Sequence, residues 1–256
     1  MKALAVVLAA GAVTSPARAG ALSAQDVVDR ALAHNAFGFG DAVARVRLVL
    51  EAPGSEARTR TLEIRSVERG AAKRTLVRFL SPADVAGTGF LVLEDAGGRE
   101  QQFLYMPAIG KVKRITGNQR QQRFMGTDLT YADLEWGSLR RADVRRLDDA
   151  SVGPYATWVI EAKPRDDGAA YGRTVTWIEK TSFVPLKVEF YDRAGATPVK
   201  TLAVRKLEKR EGRWVAMESV VRDAAGGSST RMTVTELDTK TPLDPAELDE
   251  RALAGG

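Results

Sequence analysis

Between Leu104 and Trp136 the sequence LYMPAIGKVKRITGNQRQQRFMGTDLTYADLEW places three acids, Asp128, Asp133 and Glu135, behind a basic loop holding Arg120 and Arg123. Paired carboxylates could serve as general acid and base on an envelope lipid or glycan, provided they face each other about 5 to 10 Å apart. Asp128 and Asp133 are five positions apart, and on a helix that spacing turns them to different sides. Their expected roles are therefore helix capping and interaction with the positive helix end. Other routes to catalysis are narrow. The chain has no cysteine and one histidine, which removes thiol and disulfide chemistry and leaves most metal sites and a Ser/His/Asp triad dependent on His34 alone. His34 lies near the end of an amphipathic stretch, DVVDRALAHNAFGFG, where a surface or C-terminal capping histidine is expected. No catalytic residue and no enzyme is expected.

The compartment is read from the first nineteen residues. Lys2, the apolar run Ala3 to Val13 and the small-x-small ending Ala17-Arg18-Ala19 have the form of a secretory signal, with cleavage expected before Gly20. The run is too short for a membrane span, which needs roughly 20 residues, and the expected cleavage site has no cysteine for a lipid anchor. A periplasmic protein follows, 1–19 being a cleaved leader and 20–256 a single domain. Loss of Lys2 and Arg18 lowers the formal charge from +5 to +3 (36 basic minus 33 acidic). That balance does not call for nucleic acid, and the basic loop lacks interleaved aromatic residues.

The elements that hold the segment are mostly strands. Ala44, Val46, Leu48 and Leu50 alternate with polar neighbours, as do Leu62 and Ile64, Val175 and Trp177, Leu186, Val188 and Phe190, and Met232 and Val234. With the candidates between them, roughly a dozen strands separated by short turns are expected. Helical spacing is confined to Ala24–His34, Asp128–Trp136 and Pro245–Leu253. So large an antiparallel sheet has to curl, and with so few helices its apolar side is expected to leave a cavity.

Within the opening segment, Phe103 to Met106 finish a strand and Pro107 takes the chain out of the ladder. Lys111, Lys113 and Arg114 flank Val112 and Ile115 on a short rim strand, and 116–123 is a polar lip, solvated or able to meet a head-group phosphate through Arg120 and Arg123. Phe124 and Met125 precede Thr127 or Asp128 as helix cap; they are either a hydrophobic staple or a plug at the cavity mouth.

The motifs Phe79-x-x-Pro82, Gly87-Thr88-Gly89-x-Leu91, Leu104-Tyr105-Met106-Pro107, Val112-x-Arg114-Ile115 and Phe124-Met125-Gly126-Thr127-Asp128-Leu129-Thr130-Tyr131-x-Asp133-Leu134 resemble the LolA-like outer-membrane lipoprotein-sorting proteins. Met106 and Thr127 stand where that pattern usually has Leu and Ser. The resemblance implies an α+β fold that is mainly β, an unclosed half-barrel of about eleven strands lidded by short helices. It further implies that the protein carries the acyl chains of a lipid or lipoprotein; a monomer without cofactor or metal is expected. An inner-membrane exporter of the resistance-nodulation-division class and an outer-membrane acceptor are the implied partners. Cavity and lid are expected from Phe90, Leu104, Met106, Phe124, Met125, Leu129 and Trp136, and a head-group rim from Lys113, Arg114, Arg120 and Arg123. Sequestering a sixteen-carbon chain offers about 12 kcal/mol gross at ~0.8 kcal/mol per CH₂, more than a releasing carrier can use. Aspartate at both Phe124 and Met125 is expected to abolish acyl capture with circular dichroism unchanged. A lipid sensor or scaffold built on the same half-barrel is the rival reading.

Overall fold

The computed structural model describes residues 22–33 and 40–254, apart from the Trp136 side chain. The expected leader, its cleavage site at Gly20, and His34 lie outside the described residues.

Fourteen strands form one antiparallel sheet: β1 Ala42–Glu51, β2 Arg58–Arg69, β3 Ala72–Ser81, β4 Gly89–Glu94, β5 Glu100–Met106, β6 Lys111–Ile115, β7 Ala142–Arg146, β8 Ala150–Val152, β9 Tyr155–Pro164, β10 Arg173–Glu179, β11 Pro185–Tyr191, β12 Lys200–Arg210, β13 Arg213–Asp223 and β14 Ser229–Asp238. Their order is β6-β5-β4-β3-β2-β1-β14-β13-β12-β11-β10-β9-β7, with β8 beside β9. Two hairpin series are joined where β1 pairs with β14. The edge strands β6 and β7 do not pair, so the sheet stays open. The count exceeds the eleven that the resemblance implies, and β8 is the strand with no alternating pattern long enough to show in the sequence.

Period-two alternation divides each strand between two faces. On β3, β4 and β5, Val77, Phe90 and Leu104 join one core with Leu48, Ile64 and Val234, while Leu76, Leu91 and Phe103 join another on the reverse side. β4 and β12 are six steps apart in the sheet, roughly 29 Å if it were flat at ~4.8 Å per strand. Residues of both nonetheless line one cavity, so the sheet curls around its first face.

Helix α1, Ala24–Ala33, buries Val27, Val28, Ala31 and Leu32 against Ile160 and Ile178. Its start is tied by reciprocal bonds, the Asp26 N–H to Ser23 Oγ at 3.1 Å and the Ser23 N–H to Asp26 at 3.0 Å. The expected C-terminal helix is a 3-10 turn at Pro245–Glu247 followed by α2, Glu250–Ala254, whose Leu253 is buried on the reverse face.

The expected helix over Asp128–Trp136 does not form. A short helix is costly to nucleate, and here the capping groups are engaged elsewhere. The Thr127 hydroxyl donates to the Phe124 carbonyl at 2.7 Å. Asp128 accepts from the Thr230 hydroxyl at 2.7 Å and from Ser228 at 2.5 Å, while its own N–H donates to Thr230 Oγ1 at 2.9 Å. Asp128 is thus a bolt between this loop and β14, not a helix cap. Met125 and Gly126 both take positive φ and reverse the chain before it. Only 3-10 turns follow, at Ala132–Leu134 and Trp136–Arg141.

Candidate functional site

Residues 116–141 have to travel from edge strand β6 to edge strand β7, and they do so across the concave face. Phe124 is the anchor of this crossing. It is 4% exposed and touches Phe79, Phe90 and Tyr131, with ring centroids 5.8, 4.9 and 5.5 Å away. The staple expectation gives way to this aromatic box, since no α-helix follows for the pair to staple. Aspartate at Phe124 would bury an unpaired charge at a cost of several kcal/mol, so the expected unchanged circular dichroism is corrected: such a variant tests folding before it tests capture. Arg60, on β2 and 6% exposed, donates to the Met125 carbonyl and lies over the Phe79 ring. Burial is the main cause lowering its pKa, with Arg58 adding to the effect.

Beneath the crossing lie two chambers. The first, about 170 Å³, is walled by Val46, Leu48, Leu62, Ile64, Val92, Met232 and Val234 from the sheet, by Phe124 and Leu129 from the crossing, and by Leu32 from α1. The second, about 180 Å³, is lined by Ala162, Thr176, Val188 and Phe190 together with the charged Arg120, Glu135, Arg141 and Asp166. Asp133 and Leu202 belong to both walls. The Asp133 side chain is almost wholly buried and binds the Lys200 ammonium at 2.5 Å, the Tyr171 hydroxyl at 2.9 Å and the Thr130 N–H at 2.7 Å. Burial, followed by the nearby Asp133 charge, drives the Tyr171 pKa upward, so its hydroxyl stays a donor.

Of the expected cavity residues, Phe90, Phe124 and Leu129 line the first chamber. Leu104 is in the core behind it, and Met106 and Met125 are half-buried against that core. The Trp136 side chain lies outside the described residues. The expected rim does not form one cluster. Lys113 pairs in register with Leu104 and Arg114 with Phe103, so their side chains point to opposite faces of the edge strand. Arg120 meets Glu135 at 3.0 Å beside the second chamber. Arg123 is held by Asp128 at 2.8 Å and by Asp223, tying the crossing to β13. Sequence reasoning missed the walls contributed by β1, β2 and β14 and the buried Arg60. The alternation of Val46, Leu48, Leu62 and Ile64 was the available signal for the former.

A family model described as "Uncharacterized protein" matches residues 71–254. Over 90% of this chain and 97% of the other, a protein domain assigned to outer-membrane lipoprotein sorting in Vibrio parahaemolyticus is 30% identical, with a TM-score of 0.80. The chain belongs to the outer-membrane lipoprotein-sorting family. A DUF1329 family protein from Desulfovibrio piger is 25% identical over 90% of this chain and 99% of its own, at a TM-score of 0.78. The LolA-like character of the family fold is visible in a LolA superfamily protein from Nitrosomonas europaea, 18% identical over 91% and 100% of the two chains, with a TM-score of 0.69. No curated protein matches by sequence. In this LolA-like fold residues 116–141 cross the concave face of the open sheet.

Proposed function

We propose that the protein is a periplasmic carrier that shields the acyl chains of a lipid or lipoprotein in the first chamber and delivers them towards the outer membrane. The observation that carries this reading is the apolar chamber enclosed between an open curled sheet and a single crossing segment, in a family whose Vibrio relative is assigned to lipoprotein sorting. Transfer from an inner-membrane exporter of the resistance-nodulation-division class to an outer-membrane acceptor, with the carrier acting as a monomer, completes it. Asp128 and Asp133 each serve as structural ties, which leaves them no role as an acid and base pair.

Chamber size sets how loading works. An apolar cavity of about 150 Å³ takes a benzene-sized guest, so a whole acyl chain needs more room than the first chamber offers as it stands. Loading therefore entails displacement of the crossing, or joining of the two chambers past the Asp133 and Leu202 wall. A moderate net affinity follows, because part of the burial gain is offset by reopening that packed cover.

Ala216 lines the first chamber from β13. Phenylalanine there fills the space that cargo would take. The variant A216F is expected to weaken capture of a fluorescent acyl probe at least tenfold while its thermal midpoint stays within a few degrees of the parent. Undiminished capture would place the acyl site elsewhere.

A further inference from the structure

The first chamber is apolar over most of its wall and charged at one end. Along the ligand face of β3, β4 and β5, Val77 and Phe90 give way after two residues to Thr75 and Val92, and after two more to Lys73, Glu94 and Glu100. Each step of two residues advances roughly 6.6 to 6.8 Å, so the gradient spans about 13 Å.

Glu94 and Glu100 are cross-strand partners, an arrangement that sets like charges directly opposite each other. Arg140 pairs with Glu94. Glu100 has only the Gly137 N–H, which donates to its Oε1 at 2.5 Å, and its Oε2 is buried with no hydrogen-bond partner among the described residues. The charged groups acting on it are Glu94 on β4 and Glu135 and Arg141 on the crossing. Burial first, then the two carboxylates, push its pKa up to about 8 against the opposing effects of Gly137 and Arg141. At neutral pH the carboxyl is therefore held protonated, able to donate from an oxygen that makes no hydrogen bond among the described residues. Lys73 donates to the Leu32 carbonyl at 2.6 Å and lies 3.8 Å from Glu68. With Glu100 protonated, Lys73 and Arg140 balance Glu68 and Glu94, so this end of the chamber carries no net charge.

We propose that the Lys73, Glu94 and Glu100 row is the head-group end of the chamber and receives a neutral hydrogen-bond acceptor, the carbonyl of an ester- or amide-linked acyl group, whose chain runs towards Phe90 and Phe124. The assignment rests on the carrier reading and adds to it a ligand class and an orientation. A phosphate is disfavoured because the row has no excess positive charge to meet it.

The test sets decane against methyl nonanoate, matched in carbon number, in displacing an environment-sensitive dye from the full chain at about pH 6.5 and about pH 9.5. The ester is expected to bind about fivefold to tenfold tighter at the lower pH, the worth of one neutral hydrogen bond, and to lose that preference at the higher. Glu100→Gln keeps a neutral donor and is expected to hold the preference at both pH values. Glu100→Leu is expected to bind the alkane at least as tightly as the ester. Equal affinities in the parent at the lower pH, an ester preference that survives in Glu100→Leu, or tighter binding of dodecyl phosphate would each overturn the assignment. If decane displaces the dye and the ester is not preferred, the row is wrong and the chamber stands. Failure of both ligands to displace it sinks the carrier reading as well.

Discussion

Alanine at Asp133 is expected to lower the unfolding free energy by about 3–5 kcal/mol, measured by urea denaturation at neutral pH. The carboxylate is the hub of a buried knot: the Lys200 ammonium at 2.5 Å, the Tyr171 hydroxyl at 2.9 Å and the Thr130 N–H all converge on it. The Lys200 side chain is 9% exposed and that of Asp133 1% exposed, so deleting the acid leaves a cation shut away from water without its ion-pair partner, a more distant acid, Asp223, still acting with it. Removing both partners has a different consequence. Asp133→Leu combined with Lys200→Met deletes the charges together, and the cost is expected to fall to within about 2 kcal/mol of the parent, because a buried ion pair recovers little more than its desolvation penalty. A single-variant loss below about 1 kcal/mol would show that the knot does not hold the partition between the chambers.

Glu100→Gln is expected to make the protein more stable in alkali. Burial raises the folded pKa of Glu100 from 4.5 to about 8, so the folded state holds this proton more tightly than the unfolded state does. The resulting contribution is fully present below about pH 4.5 and is lost as pH rises through about 8. Glutamine mimics the protonated form at every pH. Relative to its value at about pH 4, the stability difference between variant and parent is expected to grow by roughly 2–4 kcal/mol by about pH 9, below the full shift because the residue is only partly buried and solvent relaxes around it. The other carboxylates titrate in both proteins and largely cancel in the comparison. A difference that stays flat with pH would mean that Glu100 ionises as an ordinary surface acid.

Much of the sheet was legible in the sequence because its signal is local. Alternation of Val46, Leu48 and Leu50, and of Leu62 and Ile64, marks strands whose one face is buried, and those faces are the ones that line the core. The crossing was legible as unusual and misread in form. Thr127 and Asp128 look like caps in sequence, but besides nearby Arg123 the partners of Asp128 are Ser228 and Thr230, a hundred residues away in the chain, and no local rule anticipates them. Phe124 was visible as an apolar residue out of place in a polar loop, yet the three rings that enclose it come from β3, β4 and the crossing itself. The charged row was hidden for a related reason. Lys73, Glu94 and Glu100 come together only through the register of β3, β4 and β5, and a slip of one residue would put them on the reverse face. Lys113 and Arg114 illustrate the converse, since adjacent cations that read as one patch are divided by the strand pleat.

Native mass spectrometry of the protein released from its own cell envelope, followed by lipid extraction, is the most direct test of carriage. A one-to-one complex that yields an acylated lipid on denaturation is expected, with occupancy reduced in A216F. Protein that is empty on isolation and takes up no acyl chain when incubated with an envelope lipid extract would contradict it.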